Sequence, residues 1–166
     1  MTTTLLTGLT VLIIGDSHLA SPNYLIKTLH DDLIDQGAAV HSIGICGSNP
    51  GDWIVTSSAG KCGGAERLGK NAPILLEQTT STTPIKALIA KDKPNLVLVV
   101  MGDTMANYKK SFAKAWAWQE VTGLTNEISK SGTACAWVGP AWGTEGGKYG
   151  KPTQEHSRCL LFLLQM

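Results

Sequence analysis

Ser17 is the residue of this sequence best placed to do covalent chemistry. It closes Gly15-Asp16-Ser17, directly after the uncharged run Thr10-Val11-Leu12-Ile13-Ile14, and a helical pattern follows it. A β-branched, aliphatic run of about that length reads as a buried parallel strand, which places Ser17 at the strand's carboxyl end. Ligands of open α/β sheets bind at that edge, and the N-terminus of a following helix presents N–H groups to an anion. A serine there would attack an acyl carbonyl while the backbone holds the developing oxyanion. Asp and Ser are also common helix caps, so a purely structural role fits the same residues.

The stretch Gly15-Asp16-Ser17-His18-Leu19 resembles the first block of the GDSL/SGNH hydrolase superfamily of esterases, lipases and carbohydrate acyl-modifying enzymes. The resemblance implies an α/β fold of three α/β/α layers, flavodoxin-like, with a mostly parallel sheet. It also implies that Ser17 is the nucleophile and that its backbone N–H is one oxyanion donor. Gly44-Ile45-Cys46-Gly47 resembles the second block, in which the position of Gly47 supplies a second N–H; a glycine that only makes a turn is the other reading. The third block is Gly-x-Asn-Asp. Gly102 matches it, but Thr104 stands at the asparagine position and Met105 at the aspartate. Either the Thr104 hydroxyl or Asn107, three residues on, would then be the third donor, and losing one such donor costs about 3 kcal/mol of transition-state stabilisation.

The last block, Asp-x-x-His, supplies the base that takes the serine proton and the acid that orients it. No Asp-x-x-His follows Val138; the late histidine is His156, in Thr153-Gln154-Glu155-His156. Two accounts stand. The closing strand, base and helix are missing or altered after about residue 152, or His156 serves as the base from a different place with Glu155 or another carboxylate beside it. The apolar tail Cys159 to Met166 favours the first account, since it leaves apolar surface on a fold normally closed by a further helix.

Composition narrows the partners. The chain has 166 residues, 43% hydrophobic and 16% charged, with formal net charge +1, which is the size of one domain with a real core. Charges so nearly balanced, with no basic cluster interleaved with aromatics, point away from nucleic acid and from an anionic membrane surface. No apolar run is long enough to span a bilayer, and Met1-Thr2-Thr3-Thr4 lacks the pattern of a signal peptide. A soluble chain is expected, periplasmic or secreted if a leader has been removed. The four cysteines have no metal-ligand spacing, so no metal and no cofactor is expected. Cys46 and Cys62 fall in one loop region, where a disulfide would form in an oxidising compartment.

The elements that must hold these residues alternate. A helix is expected over Pro22 to Gln36, with Asp31 and Asp32 on its solvated face, and a second strand over Ala38 to Ile45, where His41 reads as a packed histidine. Residues 48–83 read as a long loop with one short helix near Ala72 to Gln78. A short helix over Pro84 to Lys91, a strand over Asn95 to Met101, a helix over Lys109 to Lys130 broken near Thr122-Gly123, and a strand over Thr133 to Val138 complete the pattern. The long helix is expected to turn Phe112, Ala115, Trp116, Leu124 and Ile128 to one side.

Strand, helix, strand succession makes right-handed crossovers, which gathers the loops after the strands at one edge. Trp53, Trp142 and Tyr149 fall in those loops and would either line a substrate pocket or anchor the core.

The whole of 1–166 is expected to be one domain. It reads as a serine-dependent ester hydrolase acting on a small acyl ester, an acetylated carbohydrate among them. A carbohydrate O-acyltransferase and a catalytically silent glycan or small-ligand module of the same fold are the alternatives. A flavodoxin-like phosphate binder is weakest, for no Gly-x-Gly-x-x-Gly or Gly-Lys-Ser/Thr motif is present.

Overall fold

The computed structural model describes residues 4–58, 62–106 and 112–139. Its strands are β1 (Thr10–Gly15), β2 (Ala39–Ile45), β3 (Gly64–Leu68), β4 (Ile74–Leu76), β5 (Leu96–Val100) and β6 (Ala134–Val138). Its helices are α1 (Ser17–Ala20), α2 (Leu25–Asp35), α3 (Ile85–Asp92) and α4 (Lys114–Lys130), with a 3-10 turn over Pro50–Trp53. The strands form one six-stranded sheet in the order β4-β3-β2-β1-β5-β6. β1 pairs in parallel with β2 and β5, and β5 with β6; the β2–β3 and β3–β4 pairings are antiparallel. The fold is thus mixed α/β with a mostly parallel sheet.

Alternation along the central strands makes two cores, one on each face. Leu12, Ile14, Ile43, Ile45, Val97 and Val99 pack with Ile85 and Leu88 of α3 and with Leu124 and Ile128 of α4. Val11, Ile13, Val40 and Val100 pack on the opposite face with Leu19 of α1 and Ile26 of α2. Strands covered on both faces have no solvated side, which is why these segments read as continuous apolar runs.

The structure corrects the sequence reading in three places. Residues 64–76 form an antiparallel hairpin, where a loop and a short helix were expected. The polar residues of β3 find partners that only the tertiary fold supplies: Glu66 lies 2.8 Å from Nε2 of the buried His41, and Arg67 donates to the carbonyls of Ile26, Lys27 and Asn71 and to Asp31. Asp31 is therefore half of an ion pair at 2.6 Å and not simply a solvated carboxylate. α4 runs through Thr122 and Gly123 without a break, and it buries Ala117, Val121, Leu124 and Ile128 while Trp116 stays 37% exposed.

His41 is packed as expected, its Nδ1 2.5 Å from Asp92 at the end of α3. His30 is the other fully buried histidine. Its Nε2 donates to the Gly69 carbonyl at 2.8 Å, which leaves Nδ1 to accept from the Ser42 hydroxyl at 2.7 Å, so the neutral ring satisfies both neighbours. Burial is the main cause that lowers its pKa below the ordinary 6.5.

A histidine held neutral in the fold contributes stability above the unfolded-state value and loses it as pH falls toward the lowered one. His30→Gln is expected to be less stable than the wild type near about pH 7.5, with the gap narrowing toward about pH 5, because acid penalises only the chain that keeps the imidazole. Urea unfolding at the two pH values measures this, and a gap that stays constant or widens would refute it.

Candidate functional site

Ser17 is the first residue of α1, half-buried, immediately past the carboxyl end of β1. Asp16 is the N-cap: its carboxylate accepts from the His18 backbone N–H at 3.1 Å, and its Oδ1 lies 3.2 Å from His18 Nδ1. The capping role named from the sequence therefore belongs to Asp16, which leaves the Ser17 side chain uncommitted among the described residues. Asp16 is 1% exposed, and its Oδ2 has no hydrogen-bond partner among the described residues.

α1 sits directly on the strand ends because two glycines let it. Gly15 and Gly44 are paired in the β1–β2 register, and a Cβ on Gly44 would lie closer than 3.0 Å to backbone atoms of Leu19 and Ala20. The bare Gly44 lets the end of α1, at Leu19 and Ala20, pack directly on β2. Gly47 has φ +85, a left-handed conformation that glycine adopts without strain, and it is exposed. No hydrogen bond from the backbone N–H of Ser17 or of Gly47 is found among the described residues. Both N–H groups thus stand in the loops that follow the paired strands β1 and β2.

Ser48 fixes this arrangement. It is fully buried; its hydroxyl donates to the Gly15 carbonyl at 3.3 Å and accepts from the Trp53 indole N–H at 3.2 Å. Its carbonyl accepts from the Thr104 hydroxyl at 2.9 Å. Three strand-end loops, those after β1, β2 and β5, are joined through this one residue. Nothing in the sequence marks Ser48, since Gly47-Ser48-Asn49-Pro50 reads only as a turn.

These bonds revise two expectations. Trp53 is no substrate-binding surface: it is 0% exposed, a member of the core under α4, and its one polar atom is spent on Ser48. Thr104 is not aimed at an oxyanion in this structure, because a hydroxyl has one proton and that proton is given to Ser48. It positions the Gly47 turn instead. Asn107, Trp142, Tyr149 and His156 lie outside the described residues.

Cys46 and Cys62 form a disulfide with Cα atoms 5.5 Å apart, and the Cys46 N–H donates to the Gly63 carbonyl at 2.9 Å. The residue before Gly47 is therefore tied both covalently and through its backbone. On the other side of β1, a cavity of about 250 Å³ opens between the ends of β1, β5 and β6, walled by Asp16, His18, Tyr24, Gly102, Asp103 and Val138. The chain leaves β1 toward β2 in one direction and returns at β5 on the other side, so this cavity lies at the point where the strand order reverses. Among the described histidines, His30 and His41 are locked in the core and His18 faces this cavity. The Asp16 carboxylate can only accept, so His18 Nδ1 is the donor of their 3.2 Å contact.

No protein-family model matches the chain. Protein BcsX of Komagataeibacter xylinus is 44% identical over 162 residues, which cover 96% of this chain and 61% of that protein. The chain thus spans about three-fifths of the length of this curated relative. The crystal structure of a DUF4886 family protein from Bacteroides uniformis overlaps 74% of this chain and 62% of its own at 13% identity, with a TM-score of 0.36, too little to speak to fold or activity.

Ser48→Ala is expected to cost about 2–3 kcal/mol, because it strands a buried indole N–H and loosens the Gly15 carbonyl. Combined with Trp53→Phe it should cost less than the two single changes together, since both remove the same bond. Urea unfolding of the four-protein cycle checks this; strict additivity would show that the bond carries no energy. Gly44→Ala is expected to be the more damaging change, about 3 kcal/mol or more, because backbone and not a flexible side chain fills the space its methyl would need.

Proposed function

We propose that this chain is a serine-dependent ester hydrolase of the GDSL/SGNH kind, acting on a small acyl ester through an acyl-enzyme on Ser17. The observation that carries the reading is the placement of Ser17 at the N-terminus of α1, past the end of β1, with no hydrogen bond from the N–H of Ser17 or of Gly47 among the described residues. The order β2-β1-β5-β6 of the parallel strands supports it further, being the doubly wound order of flavodoxin-like folds.

In this mechanism the Ser17 Oγ attacks the acyl carbon while a base takes its proton, and the carbonyl π pair moves onto the oxygen, which the N–H groups of Ser17 and Gly47 hold. Collapse expels the alkoxide of the leaving group, which recovers the proton from the base. Water then repeats the sequence on the acyl-enzyme and releases the acid. His156 is the candidate base in the late part of the chain, serving from a place other than that of the family's Asp-x-x-His block. His18, oriented by Asp16 at the cavity wall, is the described histidine nearest the nucleophile in sequence, although adjacent helical side chains diverge.

Acetylated carbohydrate is the substrate class we favour, by analogy with the family. The Cys46–Cys62 disulfide supports an oxidising compartment, periplasmic or extracellular. Among the described residues no helix is long and apolar enough to cross a membrane.

Intact-mass spectrometry after exposure to a fluorophosphonate tests the proposal. One adduct on the wild type and none on Ser17→Ala is the expected result, and His156→Ala and His18→Ala then identify the base by which of them slows labelling. A folded wild type that takes no adduct would overturn the assignment of Ser17 as an activated nucleophile.

A further inference from the structure

A second concavity lies beside the start of α2, and its chemistry differs from that of the first. It has a volume of about 380 Å³ and is walled by Asn23 and Lys27 at the start of α2 and by Arg67, Lys70 and Asn71 where β3 turns toward β4. Three cations and two amides face this space. Among the described residues Asp31 is the carboxylate paired with Arg67. Lys27 and Lys70 are exposed, and neither ammonium has an ion-pair partner among the described residues.

The floor is built, not incidental. Arg67 is 8% exposed, and its guanidinium is fixed on four sides: Nε to the Asn71 carbonyl at 2.7 Å, one terminal nitrogen to the carbonyls of Ile26 and Lys27 at 3.3 Å, and the other to Asp31 at 2.6 Å. That cation ties the two walls together and holds Lys27 and Lys70 across the gap from each other. Single surface lysines are ordinary; two unpaired ones braced over a buried guanidinium concentrate positive potential in a concave space, and concavity focuses the field.

We propose that this concavity is a binding site for an oxyanion, a carboxylate or phosphate group, with Lys27 and Lys70 as its direct ligands and Arg67 as its positioning residue. The site stands whether or not Ser17 is acylated. It neighbours the cavity at the ends of β1, β5 and β6: Pro22 and Asn23 wall one while Tyr24 walls the other. One turn of helix and two further residues separate Ser17 from Pro22, a span of at most about 13 Å. An acidic group a sugar unit or two from the scissile ester would reach it, so the ligand chemistry that fits is an anionic glycan or a phosphorylated leaving group.

The test is a titration of ¹⁵N-labelled protein, at low ionic strength, with inorganic phosphate, with galacturonate and with neutral galactose. Saturable shifts of the Asn23, Lys27, Lys70 and Asn71 amides with either anion, absent with galactose, are expected. Phosphate alone acting would mark a phosphate site, and both anions acting would mark a general oxyanion site. Lys27→Gln combined with Lys70→Gln should weaken binding by about tenfold or more and leave the melting temperature unchanged, as both side chains are exposed. Shifts that do not saturate, that occur equally with galactose, or that persist in the double variant would overturn the proposal.

Discussion

The edge of this sheet depends on one buried hydroxyl. Loops after parallel strands have no ladder to hold them, and each ends in backbone polar groups that must find partners away from water. Ser48 answers for three loops at once, through a donated bond to Gly15, an accepted bond from Trp53 and a carbonyl that takes the proton of Thr104. The geometry of Ser17 and Gly47 follows from that junction. Neither residue is itself held by side-chain bonds among the described residues; their neighbours are. The hydrogen bonds at this edge are thus made one residue away from Ser17 and Gly47.

Glycine does the complementary work. The pair Gly15 and Gly44 removes side chains where α1 crosses the strands, and Gly47 takes a backbone conformation that a side chain would oppose. Close packing at the first two seats α1 on the strands, and freedom at the third forms the turn after β2. The Cys46–Cys62 disulfide then restricts the turn from its other side, in a loop of 16 residues' separation.

Much of this was legible in the residues. β1 and β5 are covered on both faces, so their sequences are unbroken apolar runs, and Ser17 is legible from where the first of them ends. The hairpin of β3 and β4 was not legible. Gly64-Ala65-Glu66-Arg67-Leu68 has the look of a loop until His41, Asp31 and the carbonyls of α2 are brought to it, and Ile74-Leu75-Leu76 suits a helix as well as a strand. Trp53 and Thr104 were misjudged for a related reason. A tryptophan or threonine in a loop offers the same chemistry to a ligand as to the protein's own interior, and only the position of Ser48 decides which of them receives it.

The antiparallel hairpin also gives the sheet a direction of growth. On one side the last strand, β4, has three residues, follows Pro73 and shows Ile74 and Leu75 to solvent, so it offers a new strand almost no ladder to extend. On the other, β6 presents five residues in parallel register with β5, and no strand lies beyond it among the described residues. A crossover connection can add a parallel neighbour there. The hairpin acts as a terminus in the architectural sense: among the described residues it closes the lateral series at β4 and leaves β6 as the edge open to a further strand.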